Sequence, residues 1–171
     1  MKLDNISKIG IAGAGTMGSG IALIFARKGY EVLVNDLNIA LLEDSRRLVD
    51  IFNQTLLNEG LMTKEEEDRV MDNIQYTLEK PAFEDCDLII EAIVEKMDVK
   101  QDFWKEVEEI AKPDAYFATN TSGLSINGIS EKVKDKTRFI GMHFWNPPHI
   151  IPLVELIKGN KTSDQMVEDL K

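Results

Sequence analysis

Two side chains in the last third of this 171-residue chain have the types and spacing for acid–base chemistry. His143 stands in the run Phe139-Ile140-Gly141-Met142-His143-Phe144-Trp145-Asn146, where an apolar strand gives way to a loop, and His149 is the only other histidine. With its near-neutral pKa, a histidine takes a hydroxyl proton while hydride leaves the same carbon, which is the pairing that oxidation of an alcohol to a ketone needs. Glu155 is embedded in a second apolar run, Leu153-Val154-Glu155-Leu156-Ile157. If that run folds back beside the first, Glu155 accepts from the imidazole, fixes its tautomer and stabilises the imidazolium formed in turnover. Each residue also has a plainer reading, as a satisfied strand-end histidine and as an edge-strand carboxylate facing water. His149, in a presumed loop between prolines and isoleucines, is expected to be structural or exposed.

A second group points to a nucleotide. Lys8-Ile9-Gly10-Ile11-Ala12-Gly13-Ala14-Gly15-Thr16-Met17-Gly18 is an apolar strand that breaks into a glycine turn and opens a helix. Gly13 permits the tight turn, Gly15 lets backbone approach a pyrophosphate, and Gly18 allows close helix–strand packing, with the phosphates resting on the helix N-terminus at Thr16 and Met17. Asp36 closes the next apolar run, where this fingerprint places a carboxylate on the ribose hydroxyls of the adenosine half. A carboxylate there repels a 2′-phosphate, and neither Asn35 nor Leu37 is a cation, so NAD is favoured over NADP. Ala118-Thr119-Asn120-Thr121-Ser122-Gly123 ends another strand in small hydroxyl and amide side chains, suited to a nicotinamide ribose and a substrate oxygen or simply to a turn. Glu95 and Lys100 follow the strand at Leu88 and are close enough in sequence to form a surface pair.

The elements that must position these groups are legible from periodicity. Strands are predicted at Lys8–Ala12, Glu31–Asn35, Ile74–Thr77, Leu88–Ala92, Tyr116–Thr119, Arg138–His143 and Leu153–Ile157. Helices are predicted at Thr16–Lys28, Asn38–Glu59, Lys64–Asp72, Met97–Ala111 and, briefly, Ser125–Glu131. The alternation implies an α/β fold, a Rossmann-type doubly wound and mostly parallel sheet. The stretch from Asn38 to Asp72, divided at Gly60, exceeds an ordinary crossover and should form a projecting helical hairpin. Its second helix carries a capping box, Thr63 with Glu66, and the charge run Lys64–Arg69 reads as a solvated face. A further helix begun at Ser163 is marginal by itself in water at about two turns.

Composition narrows the class. Hydrophobic residues make up 43% of the chain, enough for one domain with a sizeable core. Lys and Arg number 20 against 30 Asp and Glu, a net charge of −10 that disfavours nucleic acid and anionic membranes as partners. No metal site is expected. The lone Cys86 forms no internal disulfide and the N-terminus lacks a secretory pattern, so the cytoplasm is the expected location.

Four strings in this order resemble the NAD-binding part of the 3-hydroxyacyl-CoA dehydrogenase family, especially its short-chain 3-hydroxybutyryl-CoA members: GAGTMGSGIA from Gly13, EAIVEKMDVK from Glu91, TNTSGLSI from Thr119 and GMHFWNPPHIIPLVELI from Gly141. The resemblance covers nearly the whole chain. It implies that His143 and Glu155 are the catalytic pair, that Ser122 and Asn146 lie at the nicotinamide and substrate oxygen, and that Asp36, Glu95, Lys100 and Asn120 belong to the NAD site. It implies a 3-hydroxyacyl-CoA substrate. Family members carry a further all-helical domain that forms a second wall of the substrate site and most of a dimer contact. Residues 1–171 therefore read as the Rossmann domain alone, with 160–171 as the start of the helix leading into that absent C-terminal domain. A helical partner domain or a homo-oligomer is the expected partner, and the isolated chain is expected to turn over poorly. The surface around Phe144, Trp145 and Ile150 should then be an exposed apolar patch. Two features depart from the family: the hairpin segment Asn53–Glu59 carries no cation where many relatives are basic, and Trp145 replaces the more usual Phe. The hairpin leaves CoA binding open, Trp145 together with the run Pro148-His149-Ile150-Ile151-Pro152 leaves open another 3-hydroxy acid, carnitine-like compounds included, and the absent helical domain leaves open a non-catalytic NAD-binding module.

Overall fold

In the computed structural model, which describes residues 6–171, the first apolar run forms β1 (Lys8–Ala12) and its glycine turn leads into α1 (Thr16–Arg27). β2 (Glu31–Asn35) then pairs parallel with β1. The chain continues through α2 (Ile39–Asn58), α3 (Lys64–Asn73), β3 (Ile74–Thr77), β4 (Leu88–Glu91), α4 (Met97–Ile110) and β5 (Tyr116–Thr119). After the short α5 (Ile126–Ile129) come β6 (Phe139–Phe144), β7 (Val154–Lys158) and α6 (Asp164–Asp169). Every predicted strand is present within a residue or so of its expected bounds. Three short 3-10 turns, Lys80–Asp85, Ser130–Lys132 and Lys136–Arg138, lie between them.

The sheet order is β3-β2-β1-β4-β5-β6-β7, parallel throughout except for β7, which runs antiparallel to β6. The order reverses between β1 and β4, and it is at such a switch point, beyond the carboxyl ends of the strands, that open α/β sheets bind ligands. Two apolar layers sandwich the sheet. One joins Ile9, Ile11, Val34 and Ile90 to α1 and to Val49, Leu56 and Val70 of α2 and α3. The other packs Trp104 of α4 against Phe117 and Phe139, with Phe83 in the same cluster.

Local chemistry sets the element ends. Asn38 caps α2 by accepting from the Ala40 amide at 2.9 Å. The capping box of α3 is complete: the Glu66 amide donates to Thr63 Oγ1 at 3.2 Å and the Thr63 amide to Glu66 Oε2 at 2.8 Å. α2 and α3 form the expected hairpin, seated along α1, with Ile51 and Leu61 left outward. Its charge run is not wholly solvated, because Glu67 is buried and takes hydrogen bonds from Gln54 and Lys64. α6 has a Ser163 cap and is held by burial of Met166 and Leu170, which supplies what two isolated turns lack.

The loop between β6 and β7 is fixed from the α1 and α2 side. Pro148 lies so close to Gly20 that a Cβ there would meet its Cγ at 2.5 Å, and His149 stacks on Phe52 with ring centroids 3.9 Å apart. Burial pushes the His149 pKa down. His149 is a packing residue, and this anchored loop is what returns the chain antiparallel to β6. The expected apolar patch needs one correction: Trp145 and Ile150 are exposed, but Phe144 is buried, with its ring edge-on to Phe25. Strand alternation sends Phe144 to the face opposite His143.

Candidate active site

The antiparallel return puts His143 and Glu155 in register. His143 Nδ1 lies 2.8 Å from Glu155 Oε2, which leaves Nε2 as the ring nitrogen for a substrate. The same carboxylate oxygen accepts from the indole N–H of Trp145 at 3.2 Å. These two hydrogen bonds, the one with His143 first, hold the Glu155 carboxyl below the usual carboxylate range. Neither member is sequestered, for the side chains are 23% and 49% exposed. The edge-strand carboxylate facing water and the paired orienter are thus one residue.

His143 opens onto a cavity of about 510 Å³ at the carboxyl ends of β4, β5 and β6. Met17 from the start of α1 lines it, with Asn120, Ser122 and Asn146 from the loops after β5 and β6. Asn120 is clamped, its Oδ1 accepting from the Phe144 amide at 2.8 Å, so the two loops are tied together. Glu95 and Lys100 complete the wall. They are no surface pair, since Lys100 is only 1% exposed. Its ammonium bonds Glu91, which is fully buried, and lies 3.2 Å from Glu95 Oε2. Burial works to raise the Glu95 pKa, but a hydrogen bond from Thr121 and the Lys100 charge outweigh it and keep the carboxyl low.

The remaining predicted residues lie at the glycine turn, outside that cavity. Gly13 has φ +102° and a Cβ on it would meet the Ala92 carbonyl at 2.5 Å; a Cβ on Gly18 would meet the Gly13 carbonyl at 1.8 Å. The protein itself requires glycine at both. Gly15 differs. Its backbone is ordinary, φ −72° and ψ −173°, and a Cβ would meet nothing within 4 Å. Nothing in the fold forbids a side chain there, so the space it would fill suits a ligand pressed against backbone. The α1 N-terminus beside it has no side-chain cap and no acidic first-turn residue, which suits a pyrophosphate. Asp36 closes the far side, accepting from the amides of Ala14 at 2.7 Å and Leu37 at 2.6 Å. A carboxylate has lone pairs beyond those two bonds for ribose hydroxyls. The residues present fit a dinucleotide whose adenosine lies near Asp36 and whose nicotinamide reaches the cavity of His143.

Sequence reasoning passed over Glu91 and the Trp145–Glu155 hydrogen bond. Glu91 carried a readable signal, a carboxylate ending the apolar run Leu88-Ile89-Ile90, the same pattern that singled out Glu155. Trp145 carried none, because a partner across a hairpin depends on register. A larger cavity of about 700 Å³, between α1 and the loop after β6, contains none of the predicted site residues. Cys86 is inert, its thiol pushed by burial up to about 12. Among the described residues no helix is long and apolar enough to cross a membrane, and no group of three or more His, Cys, Asp or Glu side chains could hold a metal.

Residues 8–171 match the family model described as 3-hydroxyacyl-CoA dehydrogenase, NAD binding domain. A probable 3-hydroxybutyryl-CoA dehydrogenase of Deinococcus radiodurans is 38% identical over 158 residues, which is 92% of this chain and 56% of that protein. The peroxisomal fatty acid beta-oxidation multifunctional protein of Oryza sativa is 34% identical over 170 residues, 99% of this chain but 23% of its own length. The crystal structure of (S)-3-hydroxybutyryl-CoA dehydrogenase PaaH1 from Ralstonia eutropha superposes with a TM-score of 0.93 at 34% identity, over 97% of this chain and 60% of that one. The chain thus spans little more than half the length of the dehydrogenases it matches and about a quarter of the multifunctional protein. With a family model matched over residues 8–171, and with the glycine turn, Asp36 and the His143 cavity all beyond the carboxyl ends of the strands, the chain belongs to the 3-hydroxyacyl-CoA dehydrogenase family as its NAD-binding domain, and NAD is its cofactor.

Proposed function

We propose that this chain is the cofactor-binding half of a dehydrogenase that interconverts L-3-hydroxyacyl-CoA and 3-oxoacyl-CoA. The observation that carries the reading is the His143–Glu155 pair at 2.8 Å on the wall of a cavity at the sheet's switch point. Bound NAD supplies the hydride acceptor. In the oxidative direction His143 Nε2 takes the proton of the 3-hydroxyl as the C3–H bond gives up its hydride and the C=O bond forms; in reduction the imidazolium returns that proton to the alkoxide oxygen. Glu155 holds the ring and balances the charge it acquires, and Trp145 holds Glu155. Ser122 and Asn146 direct the substrate oxygen and the nicotinamide side, Asn120, Glu95 and Lys100 complete the cofactor wall, and Asp36 selects the unphosphorylated adenosine ribose.

Alone, the chain is a binder and a poor catalyst. Hydride transfer needs reacting atoms about 3–3.5 Å apart in a water-excluded site, and such positioning supplies about 7–11 kcal/mol of barrier lowering. A site with Trp145 45% exposed and Glu155 open to water holds one side of a substrate. The partner supplying the other side is a helical domain of the kind its longer relatives have room for. NADH fluorescence titration and acetoacetyl-CoA reduction, each with and without a relative's helical domain supplied separately, test this. Binding in both cases with turnover only in the second is expected; turnover of about 1 per second or more by the chain alone, or no NADH binding, overturns it.

A further inference from the structure

The ion cluster behind the cavity has a composition that folding does not require. Glu91 is fully buried, and its carboxylate accepts from Lys100 Nζ, from Thr119 Oγ1 at 2.8 Å and from the Ile93 amide at 3.0 Å. Lys100 reaches on to Glu95, which Thr121 holds in place. The cluster contains two carboxylates against one ammonium, hence a net single negative charge. A buried ion pair is weak evidence of stabilisation, since apolar replacements of similar volume often serve as well or better. Glu95 with Lys100 alone would be neutral. Adding Glu91 pins the lysine and leaves one negative charge uncancelled beside the cavity.

What that charge faces is set by the chemistry at His143. Hydride and proton leave adjacent atoms of one substrate, so the nicotinamide ring must share the cavity with His143, and Glu95 and Lys100 line the same cavity. The ring is cationic when oxidised and neutral when reduced; phosphates, riboses and adenine are alike in both forms. Among the described residues lining this cavity Lys100 is the only cation and Glu95 the only carboxylate, so the uncancelled charge comes from Glu91, buried behind them. Glu155 behind His143 adds to the same sign.

We propose that the Glu91–Lys100–Glu95 cluster selects the redox state of the bound cofactor, its uncancelled negative charge favouring the oxidised nicotinamide over the reduced one. This rests on the function proposed above and deepens it: Glu91, which does not line the cavity, is a positioning residue that fixes both the place of Lys100 and the sign of the field. At an effective dielectric near 20, unit charges separated by roughly the width of such a cavity change a binding constant by about tenfold or more.

The test is the ratio of the dissociation constants of NAD⁺ and NADH, measured by calorimetry and by fluorescence, in which shared contacts cancel. Glu91→Gln neutralises the cluster and should raise the ratio about tenfold. Adding Lys100→Met to it leaves only Glu95 charged, restores the net negative charge, and should return the ratio to within about threefold of the parent, whatever happens to the two affinities individually. Glu95→Gln, at a half-exposed position, should raise the ratio as well and serves if Glu91→Gln does not fold. An unchanged ratio in whichever single variants fold, or a double variant as shifted as Glu91→Gln, overturns the proposal. A parent chain that binds neither form would instead overturn the function on which it rests.

Discussion

The glycine turn is shaped mostly by backbone: β1 enters at a positive-φ glycine, α1 starts against the Gly13 carbonyl, and one side chain, the Asp36 carboxylate just past β2, locks the Ala14 amide. At the other end, around His143, the active geometry is made of side chains that meet across a hairpin, and about half the surface of Glu155 and Trp145 remains open. The first region is finished by its own strands and helix. The second is a wall. On the proposed function, binding of the nucleotide and reaction of the substrate should therefore be separable, with perturbations falling on one without the other.

The largest expected effect is at the wall. With a helical domain supplied, His143→Ala should lower turnover about 10²–10⁴-fold, the usual worth of a positioned base, and leave NADH affinity within a few-fold. Glu155→Gln should cost a comparable amount, and the double variant no more than the worse single, because the two act as a unit. Turnover by Glu155→Gln near the parent's would make the 2.8 Å contact a structural one.

The glycine turn should break in two distinguishable ways. Gly18→Ala forces a Cβ into the Gly13 carbonyl and should lower the melting temperature sharply, with binding lost as a consequence. At Gly15 a Cβ meets nothing and φ is ordinary, so Gly15→Val should cost no more than about 1 kcal/mol of stability, through a poorer N-cap. NADH affinity should nevertheless fall about tenfold or more, about 1.4 kcal/mol, because the side chain occupies the ligand's space. Thermal melts paired with NADH titrations separate the two; a Gly15→Val chain that binds normally would remove the pyrophosphate from this turn. Of similar size, Asp36→Ala should weaken NADH by about 1–3 kcal/mol, the value of charge-assisted hydrogen bonds. NADPH should gain relative to NADH, and comparable affinities for both in the unmodified chain would contradict the reading of Asp36.

The contrast between the two regions also explains what the amino-acid sequence disclosed. Strands and helices were legible because each has a strong period, and the glycine turn because its residues are neighbours in the chain. The buried state of Lys100 was not legible: it depends on Glu91 beside it across the β4–α4 turn, and a lysine after a strand looks the same whether it points to water or beneath the cavity. Glu67 escaped for a similar reason, since one carboxylate of an acidic run is buried by Gln54 on the neighbouring helix. Phe144 was misplaced by one step of strand alternation, which shows how little register it takes to turn a side chain from surface to core.

The smallest effect sharpens the comparison most, because it concerns a contact that exists only at the wall. Trp145 shares Glu155 Oε2 with His143, and its indole ring lies 6.2 Å from the imidazole, centroid to centroid. Trp145→Phe keeps an aromatic ring beside the pair and removes one N–H. Glu155 then loses the second of the two hydrogen bonds that depress its pKa and keeps the larger one. Its titration midpoint should rise part of the way toward the usual carboxylate value. The sign follows: a depressed carboxylate is engaged above its folded pKa and releases its partners as pH falls through it, so the variant's His143–Glu155 contact should be lost at a higher pH than the parent's. Carboxyl-carbon NMR of Glu155 with the imidazole nitrogen signals of His143 would follow both sides of the contact. Turnover near neutrality, where Glu155 is ionised in either chain, should fall only about two- to threefold, through a looser carboxylate. The NADH dissociation constant should not move. A midpoint that stays put, with turnover unchanged, would mean that the indole only flanks the pair; a loss of NADH binding would mean that the wall and the nucleotide cleft are coupled after all.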